Sequence, residues 1–313
     1  MKLSKFKSYT RLLDLYNKKE INNGELQDAF IADGVVLSNM YQEMEMDSDT
    51  VDCIHDINYT DDTVTLHSHS FYEVLYCKGG NIQYLLGTDR YNIIGGDIIF
   101  IPPGISHRPL YLDRLVEPYD RYVLWISQDF IKKLEEKSDF KILDSPILLR
   151  TKDSAWEFLK DLFKQAYIEY ETKQEGYEAC VMSLIIMLLT HISRAYNHSK
   201  AIEPLFEKKE LLDNILVYIE KNLEDKISLS QTAAHFYVSE KYISKLFNEK
   251  MDVSFYKYVT QRRLISAKSY ILNGEAIENI SRMVGFSDYS TFYRAFKKAY
   301  SLSPQQFKKL HGV

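Results

Sequence analysis

Imidazole and carboxylate side chains are grouped in one stretch of the chain, between residues 67 and 107. The spacing His67-x-His69-x3-Glu73 is followed further along by His107. On a β-strand, His67 and His69 point to the same face, because successive side chains alternate. Three imidazoles and one carboxylate are donors that suit a divalent transition metal ion and leave positions open for a further ligand. The same groups would also serve as the polar lining of a pocket for a small organic molecule.

A second group of polar side chains, near the C-terminus, is spaced for contact with DNA. In the segment 276–304, apolar residues recur at three- and four-residue spacing and predict a short helix: Ile277, Ile280 and Val284. Gly285 tolerates a positive φ and suits a tight turn, after which Ser287 is predicted to cap a second helix. Phe292 and Phe296 define the buried face of that helix, so its outward face is polar and basic. This arrangement predicts a helix-turn-helix reader of DNA.

The same pattern occurs twice in the C-terminal third of the chain. The segment 229–247 repeats the apolar and cap positions of 277–296, with one extra residue in the later copy. Between the copies, Ser254 is predicted to cap a long helix over residues 255–272, which an Asn-Gly pair ends. At 1.5 Å per residue, this helix is about 27 Å long. Successive major-groove faces lie about 34 Å apart, so the helix is predicted to hold two reading helices in consecutive grooves.

The outward positions of the two reading helices are the candidate DNA contacts. Those predicted to face base edges are Lys241, Ser244, Lys245, Tyr289, Ser290, Tyr293 and Arg294. Those predicted to contact phosphates, which position a protein without reading sequence, are Lys250, Lys297 and Lys298. Arg294 is the strongest base-reading candidate, because a guanidinium can donate two hydrogen bonds to guanine O6 and N7. For Lys241, a solvated or phosphate-bound position is an equal alternative.

The segment from about Glu210 to Leu310 resembles the signature of the AraC/XylS family of transcriptional regulators. The residues that carry the resemblance are Ile277, Ile280, Gly285-Phe286-Ser287, Phe292, Phe296-Lys297-Lys298 and Ser303-Pro304. The chain departs from the family at Ser301 and Asp252, where glycine is usual, and small local strain is expected there. The resemblance implies a sequence-specific DNA-binding protein that forms a homodimer.

Short β-favouring runs separated by glycine and proline turns predict a sandwich or barrel between residues 61 and 127. Two spacings in this region resemble the two motifs of the cupin barrel. They are His67-x-His69-x3-Glu73-x6-Gly80 and Gly96-x5-Pro102-x-Gly104-x2-His107. The second motif departs from the family at its end, where Tyr111 stands in place of the usual asparagine.

This second resemblance leaves three interpretations of the barrel open. In metal-binding cupins, the counterparts of His67, His69, Glu73 and His107 form the metal site, which implies a divalent transition metal in this chain. In regulators with this architecture, the same residues line a pocket for a sugar or another small organic effector. A purely structural barrel is the third interpretation.

The predicted fold class is α+β multidomain, with an N-terminal cupin-like β-barrel, a helical linker and an all-α double helix-turn-helix. The predicted units are an N-terminal extension (1–60), the barrel (61–127), a helical linker and dimerisation region (128–200) and the DNA-binding domain (208–313). Within the extension, apolar residues predict a short helix over residues 3–15 and a second from Glu25. Two amphipathic stripes broken by Gly176 predict an αα-hairpin. Its second helix is apolar around much of its circumference and needs burial against the barrel or a dimer partner.

Charge, thiol content and hydropathy narrow the class of protein. From Lys208 to Val313 the chain carries 17 Lys and Arg against 11 Asp and Glu, whereas the whole chain has a net charge of −5. A basic module on an acidic body is typical of a phosphate-binding domain attached to another unit. The three cysteines are scattered, which predicts reduced thiols and a cytoplasmic location. The longest apolar run, 181–189, is shorter than the about 20 residues that span a bilayer, and no signal peptide is predicted.

These patterns predict a cytoplasmic transcription factor without enzymatic activity or membrane association. It would bind double-stranded promoter or operator DNA under the control of a small-molecule effector. The alternative from a different class is a cupin metalloenzyme, an oxygenase or isomerase, with an appended helical module. A non-specific architectural DNA binder is a third hypothesis, which the modest positive charge of the C-terminal third disfavours.

Overall fold

The structure, a computed structural model, describes residues 44–58, 64, 66–110, 117–198 and 210–310. The helices predicted within the first 43 residues lie outside these ranges, as do Tyr111 and residues 199–209. The described residues form a β-rich N-terminal half with a helical hairpin and an all-helical C-terminal half. The predicted α+β fold class is therefore confirmed.

The N-terminal half contains two antiparallel sheets that enclose a common core. The strands in chain order are β1 (Val51–Asn58), β2 (Tyr72–Gly79), β3 (Asn81–Leu86), β4 (Asp89–Ile94), β5 (Asp97–Ile101), β6 (His107–Leu110), β7 (Tyr119–Ile126) and β8 (Ile147–Arg150). One sheet has the order β1-β7-β2-β5-β8 and the other has the order β4-β3-β6. Leu75, Ile99 and Trp125 of the first sheet pack in one buried cluster with Tyr84 of the second. This packing closes the cupin-like unit around its interior.

Strands β1 and β8 form the edges of the larger sheet, and they lie outside the range 61–127 that the sequence pattern assigned to the barrel. Polar residues interrupt the apolar pattern of β1, but they find partners elsewhere in the chain. Asp52 accepts a 2.6 Å hydrogen bond from Tyr170, and His55 lies 2.7 Å from Asp120. Because these partners are remote in sequence, local periodicity did not identify the strand.

Two long helices cover the outer face of the larger sheet. After α1 (Gln128–Lys137) and β8, the helices α2 (Leu159–Thr172) and α3 (Tyr177–His198) form the predicted αα-hairpin around Gly176. Their buried side chains join those of the larger sheet in one apolar cluster, which includes Phe163 and Ile185. By length and composition α3 could cross a membrane, but six of its side chains are buried. This is the environment of a core helix in a folded domain.

The C-terminal half is built from short helices around one long one. The helices are α4 (Leu211–Lys221), α5 (Leu229–His235), α6 (Glu240–Met251), α7 (Phe255–Leu272), α8 (Ile277–Met283), α9 (Tyr289–Tyr300) and α10 (Pro304–Leu310). Helix α7 has the predicted bounds, and Ser254 caps it by accepting from the Lys257 amide. Ser303 and Gln306 form a capping box at α10. Asp252 and Ser301 adopt φ angles of 44° and 58°, the left-handed conformation in which glycine is usual.

Helix α7 connects two separate apolar cores. Ile265 belongs to the cluster of α4, α5 and α6, whereas the adjacent Leu264 belongs to the cluster of α8, α9 and α10. The two helix-turn-helix units are therefore attached to one shared spacer. The predicted cap of α9 was wrong, because Asp288 and not Ser287 accepts from the Thr291 amide, at 2.7 Å. The carboxylate directly precedes the first helical residue, and the Ser287 hydroxyl donates to it instead.

Candidate functional site

Three buried polar side chains meet inside the barrel. Glu73 on β2 lies between His69, which precedes that strand, and His107 at the start of β6. Its Oε2 atom is 2.9 Å from Nε2 of His107 and 3.4 Å from Nε2 of His69. Its Oε1 atom accepts a 2.9 Å hydrogen bond from the Trp125 indole. The three residues are buried, so this His69–Glu73–His107 cluster is shielded from solvent.

The backbone determines which ring nitrogen of each histidine faces the carboxylate. Nδ1 of His69 lies 2.8 Å from the carbonyl oxygen of Phe71, and Nδ1 of His107 lies 2.9 Å from that of Ile105. A carbonyl oxygen accepts hydrogen bonds and cannot donate them, so each Nδ1 carries the hydrogen. The two Nε2 atoms therefore point at Glu73 either as lone pairs or as protonated donors. Two lone pairs would repel a carboxylate, so the cluster requires ring protons or a metal ion.

Burial acts in opposite directions on two members of this cluster. It lowers the pKa of His69, which favours the neutral ring with its lone pair on Nε2. Burial raises the pKa of Glu73, but in the state with protonated rings the hydrogen bonds from His107 and His69 outweigh it and hold that pKa well below its usual range. In the state with neutral rings, a metal ion would have to replace the ring protons as the positive partner of the carboxylate. Neutral imidazoles and an ionised carboxylate are the forms that bind metal ions. The three ligand atoms lie within 4.8 Å of one another, and carbonyl partners on Nδ1 are typical of metal-binding histidines.

His67 stands beside the cluster without joining it, although the sequence placed it in the same set of four. Its backbone pairs with that of His107 through hydrogen bonds of 3.3 and 2.9 Å, and the two ring centroids are 4.3 Å apart. The ring of His67 lines an adjoining cavity together with Tyr84 and Trp125. This cavity measures about 40 Å³, whereas pockets for organic ligands usually measure about 300–1,000 Å³. The indole of Trp125, which orients the carboxylate, was not identified from the sequence because it lies 52 residues from Glu73.

The outward faces of α6 and α9 are accessible, as the apolar periodicity predicted. The exposed candidates are Lys241, Lys245, Tyr289, Ser290, Arg294, Lys297 and Lys298. Three other candidates are partly buried: Ser244, Lys250 and Tyr293. On the opposite faces, Ile243 and Phe247 of α6 and Phe292 and Phe296 of α9 are completely buried. Each reading helix therefore keeps an apolar face in the protein and presents a polar face to solvent.

The turns of the two helix-turn-helix units differ in how closely they pack. Gly285 has a φ of +79°, and a Cβ at this residue would lie 2.4 Å from the carbonyl oxygen of Leu223. Arg263 of α7 donates a 3.1 Å hydrogen bond to the same carbonyl. The equivalent residue of the first unit, Tyr237, has a φ of +55° and is 96% exposed. The second turn is thus packed against the segment that follows α4, whereas the first turn faces solvent.

Both halves of the chain match known sequence families. Residues 51–188 match the family model of the AraC-like ligand binding domain, and residues 232–310 match that of a helix-turn-helix domain. Together the two matches cover more than half of the chain. The chain belongs to the AraC family of transcriptional regulators.

Relatives of this AraC-family protein are themselves described as regulators. It is 28% identical to the uncharacterised HTH-type transcriptional regulator YfiF of Bacillus subtilis, over 79% of each chain. It is 21% identical to the HTH-type transcriptional activator RhaR of Mannheimia succiniciproducens, over 78% of this chain and 86% of the relative. A structure of ToxT from Vibrio cholerae with a bound unsaturated fatty acid matches 85% of this chain and 97% of ToxT, with 14% identity and a TM-score of 0.39. The family match establishes a DNA-binding transcriptional regulator with an N-terminal ligand-binding domain.

Proposed function

We propose that this AraC-family regulator reads promoter or operator DNA with α6 and α9 in successive major grooves, and that the His69–Glu73–His107 cluster controls this binding. The observation that carries the proposal is the pair of exposed polar helix faces on one shared spacer. Helix α7 has 18 residues, which gives it a length of about 27 Å. That length supports a placement of the reading helices about one groove repeat apart.

The proposed contacts divide into those that read bases and those that hold phosphates. Arg294 is assigned to a base, because it is exposed on the outer face of α9 and its guanidinium suits guanine. Lys245 occupies the equivalent place in α6 and is assigned to the neighbouring groove. The lysines in the last turns of the two helices, Lys250 in α6 and Lys297 and Lys298 in α9, are assigned to phosphates. The remaining base-facing candidates are Lys241, Ser244, Tyr289, Ser290 and Tyr293.

The donor set of the barrel favours a divalent transition metal ion, alone or as the anchor of a small organic effector. His69, Glu73 and His107 would hold the ion and would leave further coordination positions open. The positive charge of the ion would offset the repulsion between the two Nε2 lone pairs and the Glu73 carboxylate. A cavity of about 40 Å³ is too small for a sugar, so an effector of that size would require the barrel to widen. His67 would then line the widened pocket.

Exposed apolar side chains on the helical hairpin support a homodimer. Phe158, Ile168 and Met187 are 42%, 44% and 44% exposed. Because α2 and α3 already pack on the larger sheet through their other faces, these side chains remain available to a second copy. A dimer would present a second pair of reading helices to the DNA. The free cysteines and the DNA target are consistent with a cytoplasmic location.

Selection of binding sites from random double-stranded DNA tests the first part of this proposal. We expect an enriched sequence with two contacted segments about one helical turn, or roughly 10 base pairs, apart. Equal recovery of all sequences would instead favour a non-specific architectural binder.

Elemental analysis of the purified protein tests the second part. We expect a stoichiometric transition metal that is lost in His69→Ala and retained in His55→Ala, because His55 lies on β1 and pairs with Asp120 away from the cluster. Metal retained in His69→Ala would contradict the assigned ligands. Catalytic turnover by the metal-loaded protein would favour the metalloenzyme alternative.

A further inference from the structure

The outer face of the smaller sheet packs against the DNA-binding half. Leu85 of β3 is paired with Arg90 of β4 on one side and with Arg108 of β6 on the other. Residues that lie directly opposite each other on neighbouring strands project to the same side, so these three residues share one face of the sheet. The next pair in the register, Leu86 and His107, faces the barrel interior. One strand, β6, therefore contributes to the barrel site and to the interdomain contact.

Arg90 joins the smaller sheet to the start of α4. Its Nε atom donates to Asp213 Oδ1 at 2.7 Å, and its Nη2 atom donates to Glu210 Oε2 at 2.6 Å. The side chains of Arg90 and Asp213 are 9% and 2% exposed, so this pair is removed from solvent. Loss of one partner would leave the other as an uncompensated buried charge. The contact therefore favours one particular docking of the two domains.

Arg108 contacts the end of the first reading helix. Its Nη2 atom donates to the carbonyl oxygen of Met251, the last residue of α6. The last carbonyl groups of a helix lack intrahelical partners and lie at the negative end of its dipole, so a guanidinium is favourable there. The Arg108 side chain is buried, which lowers its pKa to about 10. Its Nε atom has no hydrogen-bond partner in the part of the chain that the structure describes. Such an incompletely satisfied buried arginine suits a contact that can be released.

Apolar side chains complete the contact between the two halves. Leu66, Leu85 and Leu110 of the barrel belong to the same buried cluster as Leu212 and Ile215 of α4. The cluster also includes residues of α5, α6 and α7, so the barrel packs against the core of the first helix-turn-helix unit. A displacement of the smaller sheet would therefore act directly on the first helix-turn-helix unit and only indirectly on the second.

We propose that β6 transmits the state of the barrel site to the first reading helix. This inference rests on the proposed role of the His69–Glu73–His107 cluster as the effector site. His107 faces that cluster, and the next residue along the strand, Arg108, faces Met251. Because the two side chains share one strand backbone, a ligand that repositions His107 also displaces the Arg108 guanidinium from the end of α6. The ligand thereby shifts the balance between a docked and a released arrangement of the first unit.

Hydrogen exchange of the full-length protein without ligand tests the contact itself. Arg108→Met keeps the length of the side chain but removes the donor. We expect the amides of the last turn of α6 to exchange about tenfold faster, which corresponds to about 1.4 kcal/mol. Arg90→Ala should have a similar effect in the first turn of α4. Arg150→Ala removes an arginine that pairs with Asp97 inside the larger sheet, and it should change neither segment. Unchanged exchange at both helix ends in the first two variants would overturn the contact.

The proposed coupling between the barrel site and α6 is tested by changes at His107, on the inner face of β6. His107→Ala alters the barrel site without any ligand, and Co²⁺, followed by its absorption bands, is the probe of the occupied site. Both the His107→Ala substitution and the binding of Co²⁺ should change the rate of amide hydrogen exchange in the last turn of α6 severalfold when Arg108 is present. Neither should change that rate in the Arg108→Met background. No effect of His107→Ala, or an effect that persists in Arg108→Met, would overturn the role of β6. Exchange elsewhere in the chain reports whether each variant remains folded.

The two proposals fail in different ways in this experiment. If Co²⁺ does not bind, the metal assignment of the proposed function is wrong, whereas the comparison of His107→Ala in the two backgrounds still decides on β6. If Co²⁺ binds but exchange in α6 does not respond, the metal site stands and the transmission through β6 is rejected.

Discussion

Replacement of Gly285 by alanine should destabilise the DNA-binding half through two separable effects. A φ of +79° is unfavourable for alanine, and the added methyl group would lie 2.4 Å from the Leu223 carbonyl oxygen and 2.9 Å from that of Glu224. The left-handed conformation costs about 1–2 kcal/mol for a residue with a Cβ. Overpacking against backbone atoms typically adds about 1–3 kcal/mol. The expected loss in the free energy of unfolding is therefore about 2–5 kcal/mol.

Two matched variants separate these contributions. Gly274 has a φ of +86°, and a methyl group added to it would meet no atom within 4 Å, so Gly274→Ala should cost the conformational part alone, about 1–2 kcal/mol. Tyr237 holds the place of Gly285 in the first unit, with a φ of +55° and an exposed side chain. Tyr237→Gly should relieve local strain while it adds the chain entropy of glycine, so the stability should stay within about 1 kcal/mol of wild type.

Chemical unfolding followed by two probes measures the effect. The two tryptophans, Trp125 and Trp156, lie in the N-terminal half, so their fluorescence follows the unfolding of that half. Far-UV circular dichroism follows the helices, which dominate the C-terminal half. Gly285→Ala should shift the circular dichroism transition to lower denaturant concentration and change the fluorescence transition much less. If Gly285→Ala costs no more stability than Gly274→Ala, the second turn does not pack against the segment that follows α4, which would contradict the predicted clash with the Leu223 carbonyl.

Three further predictions concern DNA, thiols and assembly. Arg294→Ala should cost about 1–3 kcal/mol in affinity for the selected DNA site and relax one base preference, whereas Lys297→Ala should lower the affinity for all DNA sequences alike. Gel shifts on single-base variants of the site measure both effects. An unchanged base preference in Arg294→Ala would show that Arg294 does not read a base. Burial raises the pKa of Cys77 to about 12, so at about pH 8 this thiol should stay protonated and unreactive in the native protein and react on unfolding, while the exposed Cys180 reacts at once. Labelling with a thiol-specific reagent and mass mapping tests this expectation. Rapid labelling of Cys77 in the native protein would contradict it. For the proposed homodimer, the wild-type protein should sediment as a dimer in analytical ultracentrifugation and Met187→Asp as a monomer with an unchanged circular dichroism spectrum. Equal sedimentation coefficients of the two proteins would contradict a dimer surface at Met187.

The contact between the two halves of the chain is formed by residues that lie far apart in the sequence. Arg90 and Asp213 are 123 residues apart in sequence, and Arg108 and Met251 are 143 residues apart. Each pair links the barrel to the first helix-turn-helix unit, while the second unit is attached through α7 and the segment that follows α4. A signal from the barrel would therefore alter the position of the first unit relative to the second. The spacing between two reading helices is the quantity that such a movement would control.

Sequence by itself determined the DNA-binding half of this protein. Periodic apolar residues, the cap residue Ser254 and the Ser303–Gln306 capping box act over three or four residues. These short-range interactions specify where a helix begins and ends with little dependence on the rest of the chain. The bounds of α7 and the exposure of its neighbours' polar faces could be predicted for this reason. The same signals were ambiguous between adjacent capping residues, so Ser287 was predicted where Asp288 acts.

Tertiary structure decided the barrel site and its connection to the reading helix. The sequence placed His67, His69, Glu73 and His107 in one set, but strand pairing brings the ligand atoms of three of them together and turns His67 toward the adjoining cavity. Trp125 reaches the carboxylate because β7 lies beside β2. Such neighbours are set by strand order and register, which depend on the packing of the whole domain and have no local sequence signal.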